Sequence, residues 1–156
     1  VGNVPPITLA ARAPYLMMDM ARHARWLQVP VQIPEGFPSA SLHAMRLLTA
    51  VALDAPSTLR DVTRALYRRH WGEGLAVDNP DAWSACGAGA HAAQVGEQRI
   101  KDALRTTTDE AVARGAFGFP AMFVDVDGDN QLFFGQDRLP LMAHELGLTW
   151  RGPSPG

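Results

Sequence analysis

The stretch from Gly115 to Val124 is the best-placed part of the chain to bind another molecule through the backbone. A Gly-rich turn leads to Phe119 and Pro120, and an apolar strand-like run follows. A cis Phe119–Pro120 bond would bend the chain and present the N–H and C=O of Phe119 to an extended peptide. Alternatively, Pro120 simply begins a strand, which Pro tolerates because it has no N–H for the ladder. The local pattern leaves both interpretations open.

A second candidate site lies where a strand-like run ends and a helical pattern begins, at Phe134-Gly135-Gln136-Asp137-Arg138. Gly135 allows a close approach to the backbone. The first N–H groups of a helix attract a carboxylate, and the Asp137 carboxylate can meet an ammonium group. Asp137 is also a suitable N-cap residue. Without further context, a plain N-cap beside a surface Arg138 is the favoured interpretation.

Other residue types offer less chemistry. The chain has one cysteine, Cys86, and no CxxC pair, so a small buried side chain is favoured over a redox role. The five histidines lack HxxxH or HExxH spacing, and no metal site is predicted. Gly87–Ala90 lacks a Lys-Ser/Thr pair and is interpreted as a linker rather than a phosphate loop. Trp71 either packs where a helix ends or lines a substrate pocket.

Length and charge limit the classes of partner. A chain of 156 residues and 16.9 kDa fits one domain. A net charge of −2 gives no broad attraction to phosphate backbones, so nucleic acid is not an expected partner. The richest apolar run, Leu47–Leu53, is far shorter than the roughly 20 residues that span a membrane, so no membrane segment is expected.

Most of the chain has the residue spacing of helices, and these helices must position the candidate site residues. Helices are predicted from Pro14 to Leu27, Ser39 to about Asp54, Pro56 to about Arg68, Pro80 to Cys86, Glu97 to Arg114, and near Asp137 to Gly147. The second pattern is apolar on nearly every side, which predicts a buried helix whose polar strip of His43, Arg46 and Thr49 faces a cleft or a partner. A capping box at Thr107 and Glu110 allows the fifth helix to kink or restart.

The period changes after Gly115, and a single hairpin is predicted. Its strands are Ala121–Val126 and Gln131–Phe134, joined by a turn at Asp127-Gly128-Asp129-Asn130. A lone hairpin is marginally stable at best, so this one needs helices over its face or further strands beside it.

These segments resemble the kappa-class glutathione transferases and the related bacterial 2-hydroxychromene-2-carboxylate isomerases. The segment from Ala113 to Gly147 is similar to the end of those proteins, and further matches make the resemblance nearly end to end. The further matches are Gly2-Asn3, Pro5-Pro6, Tyr15, Asp19, Ser41–Arg46, Leu48–Val51, Thr106-Thr107 and Trp150–Pro153.

The resemblance implies an α/β fold of the thioredoxin superfamily, in the DsbA-like branch with a large helical insertion. Residues 1–13 and 97–150 would form the thioredoxin-like part, 14–96 the insertion and 151–156 a loose tail. It also implies a homodimer in the cytoplasm, or in an organelle if the source is eukaryotic.

The resemblance further implies glutathione as the cofactor. Its cysteinyl part would pair with the backbone of Phe119 beside a cis Pro120, and its γ-glutamyl end would meet Gln136 and Asp137. The other implied contacts are Asn3 near the thiol, Arg12, where the mammalian proteins have Lys, and Asp19.

This sequence differs from the family at its N-terminal end. Family members begin with a strand, a helix and a second strand, and a Ser at the first junction stabilises the glutathione thiolate. No segment here matches that part, so the catalytic residue is unassigned and the thioredoxin sheet is expected to be incomplete. We therefore expect a fragment, an incomplete record, or a protein that has lost its N-terminal part.

Several functions remain open at this point. A transferase would conjugate a small hydrophobic or aromatic electrophile, and an isomerase would act on an aromatic catabolite. Ser41–Val51 resembles the transferase and Trp71–Gly74 the isomerase. A DsbA-like thiol-disulfide oxidoreductase, with its CxxC upstream, is the enzyme alternative. A non-catalytic helical binding fragment is the other.

Overall fold

The computed structural model describes residues 9–34 and 36–153. The helices are α1 (Ala13–Leu27), α2 (Leu42–Asp54), α3 (Leu59–Tyr67), α4 (Pro80–Ala85), α5 (Gln98–Ala113) and α6 (Leu139–Glu145), and the strands are β1 (Ala121–Val126) and β2 (Asp129–Phe134). Short 3-10 segments cover Pro56–Thr58, Gly89–Gly96 and Gln136–Arg138, and a π turn covers Arg68–Gly72. The predicted order of helices and hairpin is confirmed.

The chain divides into two compact units at Thr107. We call the described residues up to Thr106 the helical unit and those from Thr107 the hairpin unit. Helix α5 is continuous through Thr107, so the predicted restart there does not occur. The i to i−4 hydrogen bonds of an established helix outweigh a capping box in its interior. The assignment of 14–96 as an insertion stays a prediction.

The core of the helical unit forms where one face of α2 meets α3 and the segment around α4. Ala44, Leu47 and Val51 lie on this face and are almost fully buried. Leu42, Met45 and Leu53 are exposed, so the prediction that α2 is buried on nearly every side is wrong. Residues three and four positions apart lie on one face of a helix, and only this face of α2 packs against other described elements. The apolar spacing of α3 predicts burial of Leu59, Val62 and Leu66. Val62 and Leu66 are buried, and Leu59 is partly buried.

Helix α4 is short, and its position depends on two side-chain hydrogen bonds. The Asn79 side chain caps the helix by accepting a hydrogen bond from the Ala82 N–H at 2.9 Å. The indole Nε1–H of Trp83 donates to the carbonyl oxygen of Val77 at 2.8 Å. Since a buried indole N–H needs an acceptor, this bond allows the largest side chain of α4 to enter the core. Trp83 is 5% exposed.

Cys86 follows α4 and is expected to be chemically inert in the folded protein. Burial raises the pKa of its thiol, because the charged thiolate is poorly solvated there. We expect slow labelling by a disulfide reagent such as Ellman's reagent at pH 8, and fast labelling in urea. A labelling rate that is unchanged by urea would contradict this burial.

The hairpin unit contains a two-stranded antiparallel sheet with β1 beside β2. The pairing runs from Ala121 opposite Phe134 to Val126 opposite Asp129. Only Asp127 and Gly128 form the turn, with φ values of 53° and 89°. The predicted turn had four residues and the observed turn has two, because Asp129 and Asn130 belong to β2 and pair with β1. Two positive φ values match the type I′ turn, whose twist suits a hairpin.

Few side chains are buried in the hairpin unit. Ala116, Val126, Phe133 and Ala143 are at most 9% exposed. The apolar pattern of the last helix predicts burial of Leu141, and this prediction is wrong because the side chain is 47% exposed. Helix α6 begins two residues later than the predicted Asp137, after a 3-10 turn, and this shift changes which residues face inward.

Candidate functional site

The Phe119–Pro120 peptide bond is cis. The structure therefore agrees with the first of the two interpretations, in which a cis bond bends the chain before the strand. The Phe119 side chain is 80% exposed, the largest exposed fraction among the large apolar residues that the structure describes. The carbonyl oxygen of Pro120 accepts a hydrogen bond from the Gly135 N–H at 2.9 Å.

The backbone groups of Phe119 point away from the neighbouring strand. Residues along an antiparallel strand alternate between those that bond their neighbour and those that point away from it. Because Pro120 bonds Gly135, the N–H and C=O groups of Phe119, Ala121 and Phe123 point away from β2. Within 9–34 and 36–153, the Phe119 backbone has no hydrogen-bond partner. This outer side of β1 is called the free edge below.

The turn after β2 is shaped by Gly135 and Asp137. Gly135 has a φ of +99°, a region that favours glycine, and a Cβ atom there would collide with Oδ1 of Asp137. The Asp137 side chain therefore lies directly against the Gly135 backbone. It makes no capping hydrogen bond, so the prediction of Asp137 as the N-cap is wrong. A 3-10 turn precedes α6, and Asp137 lies inside this turn rather than before it.

The hydrogen bond between Gly135 and Pro120 brings together the two segments that the sequence singled out. Phe119 and Pro120 lie on one side of this bond, and Gln136 and Asp137 follow on the other. Asp137 has an exposed carboxylate, with Oδ2 3.5 Å from a guanidinium nitrogen of Arg138. The carboxylate is thus available to a cation, with a free backbone edge beginning nearby.

An aromatic pair packs beside this site. The rings of Phe117 and Phe134 lie 4.4 Å apart between centroids. Gly118 makes this packing possible, since a Cβ atom there would lie only 3.0 Å from Cε2 of Phe134. The Arg114 guanidinium lies 4.1 Å from the centre of the Phe123 ring and donates to Oδ1 of Asn130 at 2.9 Å. The sequence patterns did not indicate the role of Arg114.

The remaining predicted glutathione contacts belong to the other end of the chain. Arg12 is exposed at the N-cap position of α1, and Asp19 follows two helical turns later, a rise of roughly 10 Å on the same side of the helix. Asp19 Oδ2 lies 3.5 Å from His23 Nδ1. Asn3 lies outside the described residues.

A polar cluster at the start of α2 was not predicted. Asp78 accepts a hydrogen bond from the Ala44 N–H at 2.7 Å, and its other oxygen lies 3.2 Å from His43 Nδ1. Asp78 thus satisfies a backbone donor in the first turn of α2. Of the predicted polar strip, His43 faces this carboxylate, while Arg46 Nε is buried without a partner among the described residues.

One ion pair joins α2 to α5. The Arg99 guanidinium binds Asp54 through two hydrogen bonds of 3.2 and 2.9 Å. The hydrogen bond from Arg99 lowers the pKa of Asp54, and the same bond raises the pKa of Arg99. Because both side chains are partly exposed to solvent, the ion pair adds little to the free energy of unfolding. Its main effect is to hold α2 and α5 in contact at this point.

Comparison with known proteins gives the family. The sequence profile of the DSBA-like thioredoxin domain matches residues 1–147. The chain is 36% identical to human glutathione S-transferase kappa 1, over 99% of this chain and 74% of the human protein. The chain belongs to the kappa-class glutathione transferase family.

The chain is also similar to an isomerase in sequence and to a solved isomerase structure in fold. The chain is 28% identical to 2-hydroxychromene-2-carboxylate isomerase from Sphingobium xenophagum, over 93% of this chain and 74% of the relative. A solved structure of a 2-hydroxychromene-2-carboxylate isomerase superimposes with a TM-score of 0.75 at 21% identity, covering 94% of this chain and 71% of that one. The predicted DsbA-like thioredoxin fold is confirmed.

The kappa-class family is one of enzymes, since the matched relatives are named as transferases and isomerases. None of the helices in the described part of the chain is long and apolar enough to cross a membrane.

Proposed function

We propose that this protein is a glutathione-dependent transferase that acts on a small hydrophobic or aromatic substrate. The observation that carries the proposal is the free backbone of Phe119 beside cis Pro120, with the exposed Asp137 carboxylate at the next turn. The greater identity to the human transferase than to the isomerases favours conjugation over isomerisation. Isomerisation of an aromatic catabolite by the same glutathione site is the second candidate.

The residues of the hairpin unit fit the groups of glutathione. Glutathione is an extended tripeptide with an ammonium group, two carboxylates and a thiol. The N–H and C=O of Phe119 would pair with its cysteinyl residue, as in the addition of a strand. The Asp137 carboxylate would bind the γ-glutamyl ammonium, and the Gln136 amide can donate to the adjacent carboxylate.

Three residues toward the start of the chain are proposed as further contacts from the family resemblance. The Arg12 guanidinium would bind the glycyl carboxylate, since both its exposure and its charge suit an anion. Asp19 would bind a polar group of the tripeptide backbone, and Asn3 would lie near the thiol. Bound glutathione supplies a thiolate, the nucleophile for conjugation. The residues named here hold and orient it, and none of them is assigned the activation of its sulfur.

Binding of glutathione by Asp137→Asn tests the proposal directly. We expect the dissociation constant from isothermal titration calorimetry to rise roughly fivefold, because an exposed charge pair contributes about 1 kcal/mol. Asp129→Asn removes the same charge from an exposed position of β2 and is expected to bind like the unchanged protein. Absence of glutathione binding by the unchanged protein would refute the proposal.

Binding without conjugation or isomerisation would favour the alternative of a helical binding module. Disulfide exchange with a dithiol substrate would favour a DsbA-like oxidoreductase. The proposal includes a homodimer, supported by the exposed apolar side chains of Tyr15, Leu16 and Trp26 on α1. It also includes a cytoplasmic location, or an organellar one in a eukaryote.

A further inference from the structure

A groove of about 600 Å³ lies beside α1 in the helical unit. One wall is a stripe on α1 whose members lie three and four positions apart and so share one side of the helix, namely Met17, Met20, Ala21 and Ala24. The second wall is formed by residues of the segment 29–33, which follows the helix. This feature is called the α1 groove below. Small-molecule sites have volumes of roughly 300–1,000 Å³, so the α1 groove has the size of a ligand site.

Backbone hydrogen bonds hold the two walls of the α1 groove. Gln28 ends α1 in a left-handed conformation, with a φ of 54°, and turns the chain. The Val29 N–H then donates to the Ala24 carbonyl oxygen at 3.0 Å, which fixes the direction in which the second wall leaves the helix. Farther along this wall, the Gln32 N–H donates to the Trp71 carbonyl oxygen at 2.7 Å. The groove is therefore formed before any ligand binds.

The lining of the α1 groove suits a flexible alkyl chain. Apart from Arg25 and Gln28, the described lining consists of Ala, Val, Ile, Pro and Met, and it contains no aromatic ring. Val29 and Ile33 are 48% and 42% exposed, so a ligand would remove apolar surface from water. Methionine side chains are unbranched and adapt to a ligand of variable shape. A wall without rings offers no stacking surface to a flat compound.

One positive charge accompanies this apolar lining. Arg25 is exposed, and among the described residues that form the groove it is the one with a charged side chain. Its guanidinium makes no ion pair within residues 9–34 and 36–153, and its planar fork of N–H groups matches a carboxylate. Gln28 adds an amide that can donate a further hydrogen bond. The head group favoured by this charge is an anion.

The α1 groove has the groups for binding and not for reaction. Its described lining contains no Cys, Ser, Thr, His, Lys, Asp or Glu, so it offers neither a nucleophile nor a general base. Tyr15 and Trp26, which support the proposed homodimer, lie on the opposite side of α1 by their helical spacing. A ligand in the groove therefore does not compete with those two side chains.

We propose that the α1 groove binds a single-chain aliphatic carboxylate, with its alkyl chain between the two walls and its carboxylate on Arg25. Such a ligand is anionic and flexible, and it is held without being converted. It therefore differs from the substrate of the proposed transferase in charge, in shape and in place. The proposal does not depend on glutathione, so the failure of either proposal leaves the other standing.

Calorimetric titration of the whole protein with octanoate, decanoate and dodecanoate tests the proposal. We expect saturable binding without glutathione, and the dissociation constant should fall roughly twofold to fourfold for each added methylene group, because each one buries further apolar surface. Decanol has the chain of decanoate without its charge and is expected to bind roughly fivefold more weakly. An affinity that does not change with chain length would overturn the proposal.

Two arginine variants test the position of the carboxylate. Arg25→Gln is expected to weaken decanoate binding roughly fivefold and to leave decanol binding unchanged, because only decanoate has a charge to lose a partner. Arg22→Gln removes the same charge from an exposed position of α1 that does not line the groove, and it is expected to bind decanoate like the unchanged protein. Equal decanoate binding by Arg25→Gln and the unchanged protein would refute the role given to Arg25.

Two alanine variants locate the alkyl chain. Ala21→Phe narrows the groove from an exposed position of α1, and decanoate binding is expected to fall at least tenfold. Ala52→Phe makes the same change at an exposed position of α2 outside the groove, and decanoate binding is expected to be unchanged. Both variants are expected to bind glutathione like the unchanged protein, which separates this proposal from the glutathione proposal. Undiminished decanoate binding by Ala21→Phe, or equally tight binding of decyltrimethylammonium, whose head is a cation, would overturn it.

Discussion

Trp83→Ala is expected to lower the free energy of unfolding by about 3–5 kcal/mol. The Trp83 side chain is 5% exposed, belongs to the core cluster of the helical unit, and donates its indole N–H to Val77. Truncation therefore removes a large apolar side chain and leaves both a cavity and an unpaired buried carbonyl oxygen. Urea unfolding followed by far-ultraviolet circular dichroism measures the loss.

Two further variants separate the causes of this loss. Trp83→Phe keeps an aromatic ring and removes the indole N–H, and a smaller loss of about 1–2 kcal/mol is expected. Trp26→Ala makes the same truncation as Trp83→Ala at a 53% exposed position of α1 and is expected to change stability by about 0.5 kcal/mol or less. Similar losses for Trp26→Ala and Trp83→Ala would show that burial of Trp83 does not support the fold.

Gly135→Ala is expected to lower both stability and glutathione affinity. An alanine at a φ of +99° is strained, and its Cβ would displace the Asp137 carboxylate. We expect a loss of about 1–3 kcal/mol in the free energy of unfolding. If the proposed site is right, the dissociation constant for glutathione also rises at least tenfold, since the backbone bond to Pro120 and the position of Asp137 change together.

Gly128→Ala is the matched control in the same hairpin. Gly128 has a φ of +89°, and no atom lies within 4 Å of a Cβ placed there, so the variant carries the backbone strain without the collision. We expect a similar loss of stability and unchanged glutathione affinity. Unchanged affinity in Gly135→Ala as well would remove the turn after β2 from the binding site.

The features that the sequence predicted well are those that depend on neighbouring residues. The Asp127-Gly128 turn follows from the need for positive φ at two successive positions. Pro14 at the start of α1 depends on interactions within one turn of helix. The cis bond at Pro120 was one of two equal alternatives, because its conformation depends on packing that a local pattern does not contain.

The features that the sequence did not predict depend on distant contacts. The bond from the Ala44 N–H to Asp78 joins residues 34 positions apart, and neither residue has a local signature for it. Phe37, Met45 and Trp71 are far apart in the sequence and line one pocket of the helical unit, so the pocket was not predicted for the same reason. Asp137 was mistaken for a cap because sequence spacing does not show that a 3-10 turn precedes α6.

The free edge of β1 also has a consequence for self-association of the chain. Within the part of the chain that the structure describes, no strand lies beside this edge. Outward N–H and C=O groups are a template on which a second strand can add, and charged side chains are the usual defence against such aggregation. Asp125, Asp127 and Asp129 place negative charge at the turn end of the hairpin. The Phe119 end has apolar residues instead, so addition of a strand to the described hairpin is opposed at the turn end and favoured at the Phe119 end.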